Sequence, residues 1–262
     1  MDDNHSDLEC IESLESVRSI TNEKAHPWRI CPIGKHYVRT HILHISPSKD
    51  HPEGQVVTRH EHCADNPSHK DMLYFDELQT ITGTHFANLV GPPTPHVLTQ
   101  FLRADEFDGQ IRGWVRYWNE VLDPQEPLDP NLVKALIASE SGFKADQNTP
   151  TGNKKLGYAR GLMQLTDDTL RIIGDHNGEL RDHFIYLTHN DVLEPSANIC
   201  AGIRWLFRKR MIATERLQHA ATWDDAVAEY KGVLKGIIEN KNPDLQNAMP
   251  KFRAFYKRLL ES

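Results

Sequence analysis

The stretch Leu132-Val-Lys-Ala-Leu-Ile-Ala-Ser-Glu-Ser-Gly-Phe143 combines a strongly apolar helical pattern with one acidic side chain near its end. Apolar residues at 132, 133, 136 and 137 and the acid Glu140 recur at steps of three and four, which places Glu140 on the apolar face. A carboxyl group held against apolar surface keeps its proton to higher pH, as a general acid near neutrality requires. The pattern therefore makes Glu140 a candidate general acid.

The sequence also marks both ends of this helix. Asp129 is a favourable N-cap residue, and Pro130 fits the first helical position, where its missing N–H costs nothing. We therefore predict a helix from residue 130 to about 141, ended by Gly142. A lone glutamate at such a position is also typical of a structural residue that faces solvent or pairs with Arg160, because structural ion pairs perturb carboxylates as well. The helix alone leaves both interpretations open.

Composition and charge limit the classes of protein that need to be considered. The chain has 262 residues, of which 26% are charged and 39% hydrophobic, as in an ordinary globular protein. Its net charge of -7 argues against a nucleic-acid-binding protein, which needs a concentrated positive face. No apolar run approaches the length of a membrane span.

The cysteines and the N-terminus bear on the cellular compartment. Cys10, Cys31, Cys63 and Cys200 lie far apart, and the simplest interpretation is free thiols in a reducing cytoplasm. A Cys31–Cys63 bridge formed after export stays open as an alternative. The first ten residues are acidic and contain no apolar h-region, so we expect synthesis in the cytoplasm without a secretory signal.

The N-terminal part of the chain differs in character from the rest. Residues 1–25 form an acidic arm with a weak helical pattern, and residues 26–96 are predicted to be a small β-containing module of unknown role that is rich in histidine. Within this module His36–Ile45 and Gln55–Cys63 are predicted strands, joined by a turn-rich segment. The stiff Gly91-Pro-Pro-Thr-Pro95 is a candidate linker.

Residues 97–262 are predicted to form a helical domain, so the fold class is mainly α. Apolar residues at helical spacing predict the first helix over 111–122. Besides the helix from 130, further helices are predicted around 166–173, 195–210, 223–240 and 247–260.

Two further motifs follow the Glu140 helix, and their order makes a resemblance to one protein family specific. Thr149-Pro-Thr-Gly152 and then Ala159-Arg-Gly-Leu-Met-Gln-Leu165 follow the Glu-Ser-Gly-Phe segment in order. Together they resemble the soluble lytic transglycosylases, relatives of goose-type lysozyme. Pro195–Leu206 resembles the family's Asn-Ile-x-x-Gly helix, and Ala228-Glu-Tyr-Lys-Gly232 its Ala-Tyr-Asn-Ala-Gly segment. The resemblance covers about residues 105–240 and implies a lysozyme-like helical catalytic domain.

The resemblance also implies a substrate and roles for particular residues. Family members cut the β-1,4 bond between N-acetylmuramic acid and N-acetylglucosamine in peptidoglycan glycan strands, without a cofactor or a metal ion. Glu140 would be the acid/base, and Thr149 would contact the acetamido group of the sugar. Met163 and Gln164 would line the cleft, and Tyr230 would hydrogen-bond near Glu140 and orient it. Asn198 would brace a helix.

The chain departs from the family pattern in three places. Asn153–Tyr158 lengthen the loop after Gly152. The longer loop bears on whether Thr149 is the residue that contacts the acetamido group. Lys231 stands where the family has asparagine, which affects a substrate contact. Gly232 is followed by Val-Leu instead of small turn-forming residues, which predicts that the helix continues past Tyr230.

A hydrolytic lysozyme and a non-catalytic peptidoglycan-binding protein are the alternative functions. Inverting hydrolysis needs a second carboxylate roughly 6.5–9.5 Å from the first, with a water molecule between them. Goose-type lysozymes place an aspartate where this chain has Thr166, while Asp146, Asp167 and Asp168 are the acidic residues nearby. Acidic residues in the first turn of a helix are otherwise typical of capping. Transglycosylation is therefore the leading interpretation, and an intact Glu140 motif disfavours a binding-only protein.

The histidine-rich region raises the question of a structural zinc site. The chain offers thiols and imidazoles there, but their spacing matches no zinc pattern, so no metal site is predicted. The residues considered are Cys31, His36, His41, His44, His60, His62 and Cys63.

A wall-cleaving enzyme without an export signal needs a dedicated route to its substrate. We expect it to act in the periplasm or cell wall, including that of a target cell, as an exported antibacterial effector or a phage lysis or entry factor. A cognate inhibitor and a component of a secretion apparatus are then the expected protein partners.

Overall fold

The computed structural model describes residues 28–49, 52–240 and 248–262. The acidic arm predicted for residues 1–25, with its helical pattern, lies outside the described residues. Most of the described chain folds into helices that surround a common core, with short strands at the edges, as the predicted mainly α class requires.

Short strands occur in the N-terminal part and around the middle of the chain. In chain order they are β1 (Lys35–Val38), β2 (His41–Ile45), β3 (Gln55–Arg59), β4 (His62–Asp65), β5 (Met72–Tyr74), β6 (Asn148–Pro150), β7 (Tyr158–Arg160), β8 (Leu165–Thr166) and β9 (Phe184–Tyr186).

Most of the described helices lie where the sequence predicts them, whereas the first was not predicted. In chain order they are α1 (Phe75–His85), α2 (Asp108–Leu122), α3 (Pro130–Glu140), α4 (Asp167–Gly174), α5 (Pro195–Leu217), α6 (Trp223–Tyr230), α7 (Leu234–Ile238) and α8 (Ala248–Leu260). The predicted start of α3 is confirmed, because the Asp129 side chain accepts a hydrogen bond from the Asn131 N–H at 2.9 Å. None of the helices within the described ranges is both long enough and apolar enough to cross a lipid bilayer.

The two predicted N-terminal strands form an antiparallel hairpin in which each strand is interrupted once. β2 pairs with β3, with Leu43 opposite Val57, and β1 pairs with β4, with Tyr37 opposite Cys63. The turn-rich segment between Ile45 and Gln55 connects the strands, as the sequence predicts. Most residues of β2 and β3 are exposed, so this end of the hairpin projects from the body of the protein.

The base of the hairpin is held by a disulfide between Cys31 and Cys63. The expectation of free thiols is therefore wrong for these two residues, because the pairing of β1 with β4 brings Cys63 next to the segment that precedes β1. Cys200 is a free, buried thiol. Two of the candidate zinc ligands are thus joined covalently, and within the described residues no group of three or more His, Cys, Asp or Glu side chains could hold a metal ion.

Residues on both sides of position 97 share one core. Trp28, Leu78 and Phe86 are buried in the same cluster as the tryptophans of α2 and the apolar face of α3. β5 runs parallel to β9 and pairs with it, with Leu73 opposite Ile185. The division of the chain at residue 97 stays a prediction, but the packing is continuous across it.

The predicted linker Gly91–Pro95 is bound tightly to the helical part. The Thr94 N–H donates to Asn131 Oδ1 at 2.8 Å, and Lys134 Nζ donates to the Thr94 carbonyl at 3.0 Å. Arg112 Nε donates to the Gly91 carbonyl at 2.8 Å. These bonds fix the segment against α2 and α3, so it does not act as a free hinge.

The prediction of a continuous helix over 223–240 is wrong. α6 ends at Tyr230 and α7 begins at Leu234. Between them Gly232 has φ +71°, a left-handed conformation that interrupts the helix and that glycine adopts without a steric penalty. The two apolar residues after Gly232 therefore did not extend the helix, because the backbone at the glycine decides where α6 stops.

One buried cation fastens the N-terminal segment to the core. The Arg29 side chain has no exposed surface and forms ion pairs with Asp71 and with Glu77, the latter at 2.7 Å. Asp71 Oδ2 also lies 2.9 Å from His183 Nδ1, far along the chain. Burying a charge in this position costs several kcal/mol unless its ion-pair partners are present.

Replacement of Arg29 by alanine is expected to destabilise the protein by about 3–5 kcal/mol, because Asp71 and Glu77 would remain buried without their cation. Denaturant unfolding measures the change. Lys257→Ala is the matched control, since Lys257 pairs with Glu261 at 3.6 Å with side chains 74% and 63% exposed; it should cost less than about 1 kcal/mol. Equal effects of the two variants would contradict this account.

Candidate active site

Glu140 is the last residue of α3, where the chain turns back over the helix. Its neighbour Ser141 is buried and donates a hydrogen bond from Oγ to the Leu162 carbonyl at 2.7 Å. Gly142 and Phe143 both have positive φ, +59° and +66°, which turns the chain away from the helix axis. The end of α3 is thereby tied to the Gly161-Leu-Met-Gln164 segment.

A buried amide holds this second segment in place. Asn198 on α5 accepts from the Met163 N–H at 2.7 Å and donates to the carbonyls of Arg160 at 3.0 Å and Val192 at 2.8 Å. Gly161 is required here, because a Cβ at this position would collide with the Asn198 amide. Asn198 thus has a structural contact, as predicted, but it holds the Gly161–Gln164 segment and not a second helix.

Met163 lies behind the wall of the site. Its side chain has no exposed surface and packs so closely on Gly202 of α5 that a Cβ at Gly202 would overlap the sulfur. The expectation that this side chain lines a cleft is therefore not met in this conformation, because α5 covers it. Its carbonyl takes part in the site instead, as the Tyr230 contact shows.

Tyr230 contacts the Met163 backbone. The Tyr230 hydroxyl donates to the Met163 carbonyl at 2.7 Å. Burial first, and then the nearby charge of Glu140, raises the pKa of Tyr230 well above its usual value, so the phenol stays protonated. Tyr230 is thus a neighbour of Glu140, as predicted, but its hydroxyl is bound to a different acceptor.

The charged partner of Glu140 is Lys231. Lys231 Nζ lies 2.5 Å from Glu140 Oε1, and the two side chains are only 8% and 19% exposed. The alternative pairing of Glu140 with Arg160 is wrong, since Arg160 forms its ion pair with Asp167. The residue that departs from the family pattern is therefore the one that touches the candidate acid.

The break after α6 brings Lys231 to this place. A capping box between Thr222 and Asp225 fixes the start of α6, and Lys231 caps its end. The turn at Gly232 then leads the chain away, so the Lys231 side chain extends from the last turn towards α3. If α6 continued past Tyr230, Lys231 would be an interior residue of the helix and not its C-cap.

Hydrogen bonds link a row of polar side chains next to the Gly161-Leu-Met-Gln164 segment. Gln147 Nε2 donates to Thr149 Oγ1 at 3.3 Å and to Gln164 Oε1 at 3.4 Å. Gln164, at φ +51°, also donates to the Gly161 carbonyl at 2.8 Å. Thr149, which is exposed, and Gln164 are thus linked through Gln147. Gln147 was missed by the sequence analysis; its position two residues before Thr149 in the chain was the available signal.

Comparison with known proteins assigns this region to a family. Residues 117–230 match the family model described as the transglycosylase SLT domain. Residues 117–230 are a transglycosylase SLT domain. Comparison with curated proteins and with solved structures gave no match. The matched region of the SLT domain contains Glu140 and the Gly161–Gln164 segment, and it ends one residue before Lys231.

The lengthened loop of the SLT domain closes as an ordered hairpin. β6 pairs with β7, with Thr149 opposite Ala159, and β7 pairs with β8. The Thr151 hydroxyl donates to the Gly157 carbonyl at 2.7 Å, and the Tyr158 N–H donates to Asp167 Oδ2 at 2.9 Å. The extra residues are thus accommodated without displacing Thr149 from the Gln147 contact.

The acidic residues after the Gly161–Gln164 segment are engaged in ion pairs. Thr166 caps α4 by accepting from the Thr169 N–H at 3.1 Å, and Asp167 and Asp168 occupy the first turn. Asp167 pairs with Arg160, and Asp168 pairs with Arg171 at 2.8 Å. This is the arrangement expected of acidic residues that stabilise a helix start.

Replacement of Gly232 by alanine is expected to cost about 1–2 kcal/mol of stability, because alanine is strained at φ +71° although space for its Cβ is free. Gly83→Ala in α1 is the control: its Cβ also meets nothing, but its backbone is helical. That variant should be neutral or stabilising by up to about 1 kcal/mol. Thermal unfolding of both variants measures the difference, and a stabilising Gly232→Ala would show that the α6 break is not dictated by the glycine.

Proposed function

We propose that the chain is a peptidoglycan lytic transglycosylase that cleaves the β-1,4 bond between N-acetylmuramic acid and N-acetylglucosamine, with Glu140 as its single acid/base. The SLT domain supports a lytic transglycosylase-type enzyme acting on cell-wall peptidoglycan. The observation that carries the finer assignment is the placement of Glu140: a largely buried carboxylate at the end of α3, beside the Gly161–Gln164 segment that Asn198 holds in register.

In the first step the protonated Glu140 carboxyl gives its proton to the oxygen that links the two sugars. The bond from that oxygen to C1 of the muramyl residue breaks, and N-acetylglucosamine leaves with a free hydroxyl. The acetamido oxygen of the muramyl residue bonds to C1 and carries the positive charge, in the manner of substrate-assisted glycosidases. Thr149 is proposed to contact that acetamido group.

In the second step the Glu140 carboxylate takes the proton of the muramyl 6-hydroxyl. The 6-oxygen then bonds to C1 and displaces the acetamido oxygen, which gives a 1,6-anhydro sugar and restores the protonated acid. No water molecule is consumed, so one carboxyl group serves both steps as acid and then as base.

The engagement of Asp167 and Asp168 supports a single-carboxylate mechanism. A hydrolase of the inverting type needs a second carboxylate that is available to activate water. Asp167 and Asp168 are instead occupied by Arg160 and Arg171. Gln147, Thr149 and Gln164 are neutral, so this polar row offers hydrogen bonds for sugar hydroxyl and amide groups and no second base.

The disulfide supports action outside the cytoplasm. Disulfides persist in oxidising compartments such as the periplasm and the cell exterior, where peptidoglycan also lies. The Cys31–Cys63 bond therefore fits a protein that matures after it leaves the reducing cytoplasm. We propose an exported antibacterial effector or a phage lysis or entry factor, with a cognate inhibitor or a secretion-apparatus component as its protein partner.

Digestion of purified sacculi tests the activity. Wild type should release soluble muropeptides with 1,6-anhydro ends, and Glu140→Gln should lower the rate on the order of 10²–10⁴-fold, since an amide cannot transfer the proton. Glu215→Gln, at a residue of α5 whose side chain is 68% exposed, is the matched control and should retain the wild-type rate.

Mass spectrometry of the fragments separates the chemical outcomes. Anhydro ends are one water lighter than reducing ends. Fragments with reducing ends would therefore show that the protein is a hydrolase and not a transglycosylase. Equal release by wild type and Glu140→Gln would exclude Glu140 as the acid/base.

Expression in two compartments tests the site of action. Directed to the periplasm of a Gram-negative host, wild type should lyse the cells, while the same protein kept in the cytoplasm should be harmless because its substrate is absent there. Periplasmic Glu140→Gln is the control and should not lyse. Harmlessness of wild type in both compartments, with sacculi still digested in vitro, would contradict an export-linked toxic role.

A further inference from the structure

We propose that Lys231 is a positioning residue that holds the catalytic carboxylate of Glu140 in place, an inference that rests on the function proposed above. In this fold the neighbouring tyrosine does not do so, because its hydroxyl is bound to the Met163 carbonyl. The only polar side chain that the described residues place on Glu140 is the Lys231 ammonium, at 2.5 Å.

The contact fixes one oxygen of the carboxylate and leaves the other available. Lys231 Nζ donates to Oε1, while Oε2 has no hydrogen bond to any described residue. A glutamate side chain has several rotatable bonds, and a charged hydrogen bond at one oxygen selects one rotamer. Oε2 is then the oxygen that can exchange protons with the sugar.

Because the contact is buried, the Glu140 carboxylate needs a positively charged partner at this position. With Lys231 8% exposed and Glu140 19% exposed, neither charge is well solvated without the other. Asparagine, which the family has at this position, would offer an amide at shorter reach and no charge. In this chain the ammonium of Lys231 therefore orients the carboxylate of Glu140. The family resemblance implies instead that Tyr230 does so.

Steady-state kinetics on solubilised glycan strands test the role. Lys231→Met keeps the length of the side chain and removes its charge; kcat should fall roughly 10–100-fold, as expected for a misplaced catalytic group, while KM stays within about threefold. Lys231→Arg restores a cation and should recover kcat to within about fivefold of wild type.

A matched control separates positioning from general loss of a buried ion pair. Lys209 pairs with Glu229 at 3.6 Å, with side chains 18% and 7% exposed, in a pair that does not include Glu140. Lys209→Met should lower the melting temperature but keep kcat within about twofold. A wild-type kcat in Lys231→Met, or an equal loss in Lys209→Met, would overturn the proposal.

Nuclear magnetic resonance of the lysine ammonium groups tests the contact without relying on activity. Lys231 should give a slowly exchanging ammonium signal in wild type that disappears in Glu140→Gln. Presence of that signal in a wild type that does not digest sacculi would reject the proposed function while the ion pair stands. Absence of the signal in an active wild type would overturn the role of Lys231 alone.

Discussion

The arrangement of the site depends on one buried amide, that of Asn198. Its three hydrogen bonds fix the backbone from Arg160 to Met163 against α5. From that fixed backbone, the Leu162 carbonyl holds Ser141 at the end of α3, and the Met163 carbonyl holds the Tyr230 hydroxyl. Three distant parts of the chain therefore meet because each binds the same short segment, and an unsatisfied polar group there would be costly.

The second constraint is electrostatic. Glu140, the proposed acid/base, lies against the Lys231 ammonium, and both side chains are largely withdrawn from solvent. The contact at Oε1 restricts the rotation of the carboxylate, because a charged hydrogen bond in a buried place is strong and directional.

The N-terminal region is linked to the helical part by packing and by charge. Arg29 joins Asp71 and Glu77 in the core, while the disulfide secures the base of the hairpin a few residues further on. The exposed β2–β3 end is the part of the hairpin that lies outside this framework.

The sequence by itself determined most of the helices after residue 97 and the resemblance to the SLT family. Apolar spacing, an Asp-Pro start and a glycine stop are local signals, and they placed α3 and Glu140 correctly. The partners of the charged groups were decided only by the tertiary structure. Lys231 and Glu140 are 91 residues apart, and Cys31 and Cys63 are 32 apart, so neither pairing has a local signature. Even the end of α6 was misjudged, because the conformation of Gly232 outweighed the apolar residues after it. Whether a charge finds a partner depends on how distant segments pack, and periodicity along the chain does not contain that information.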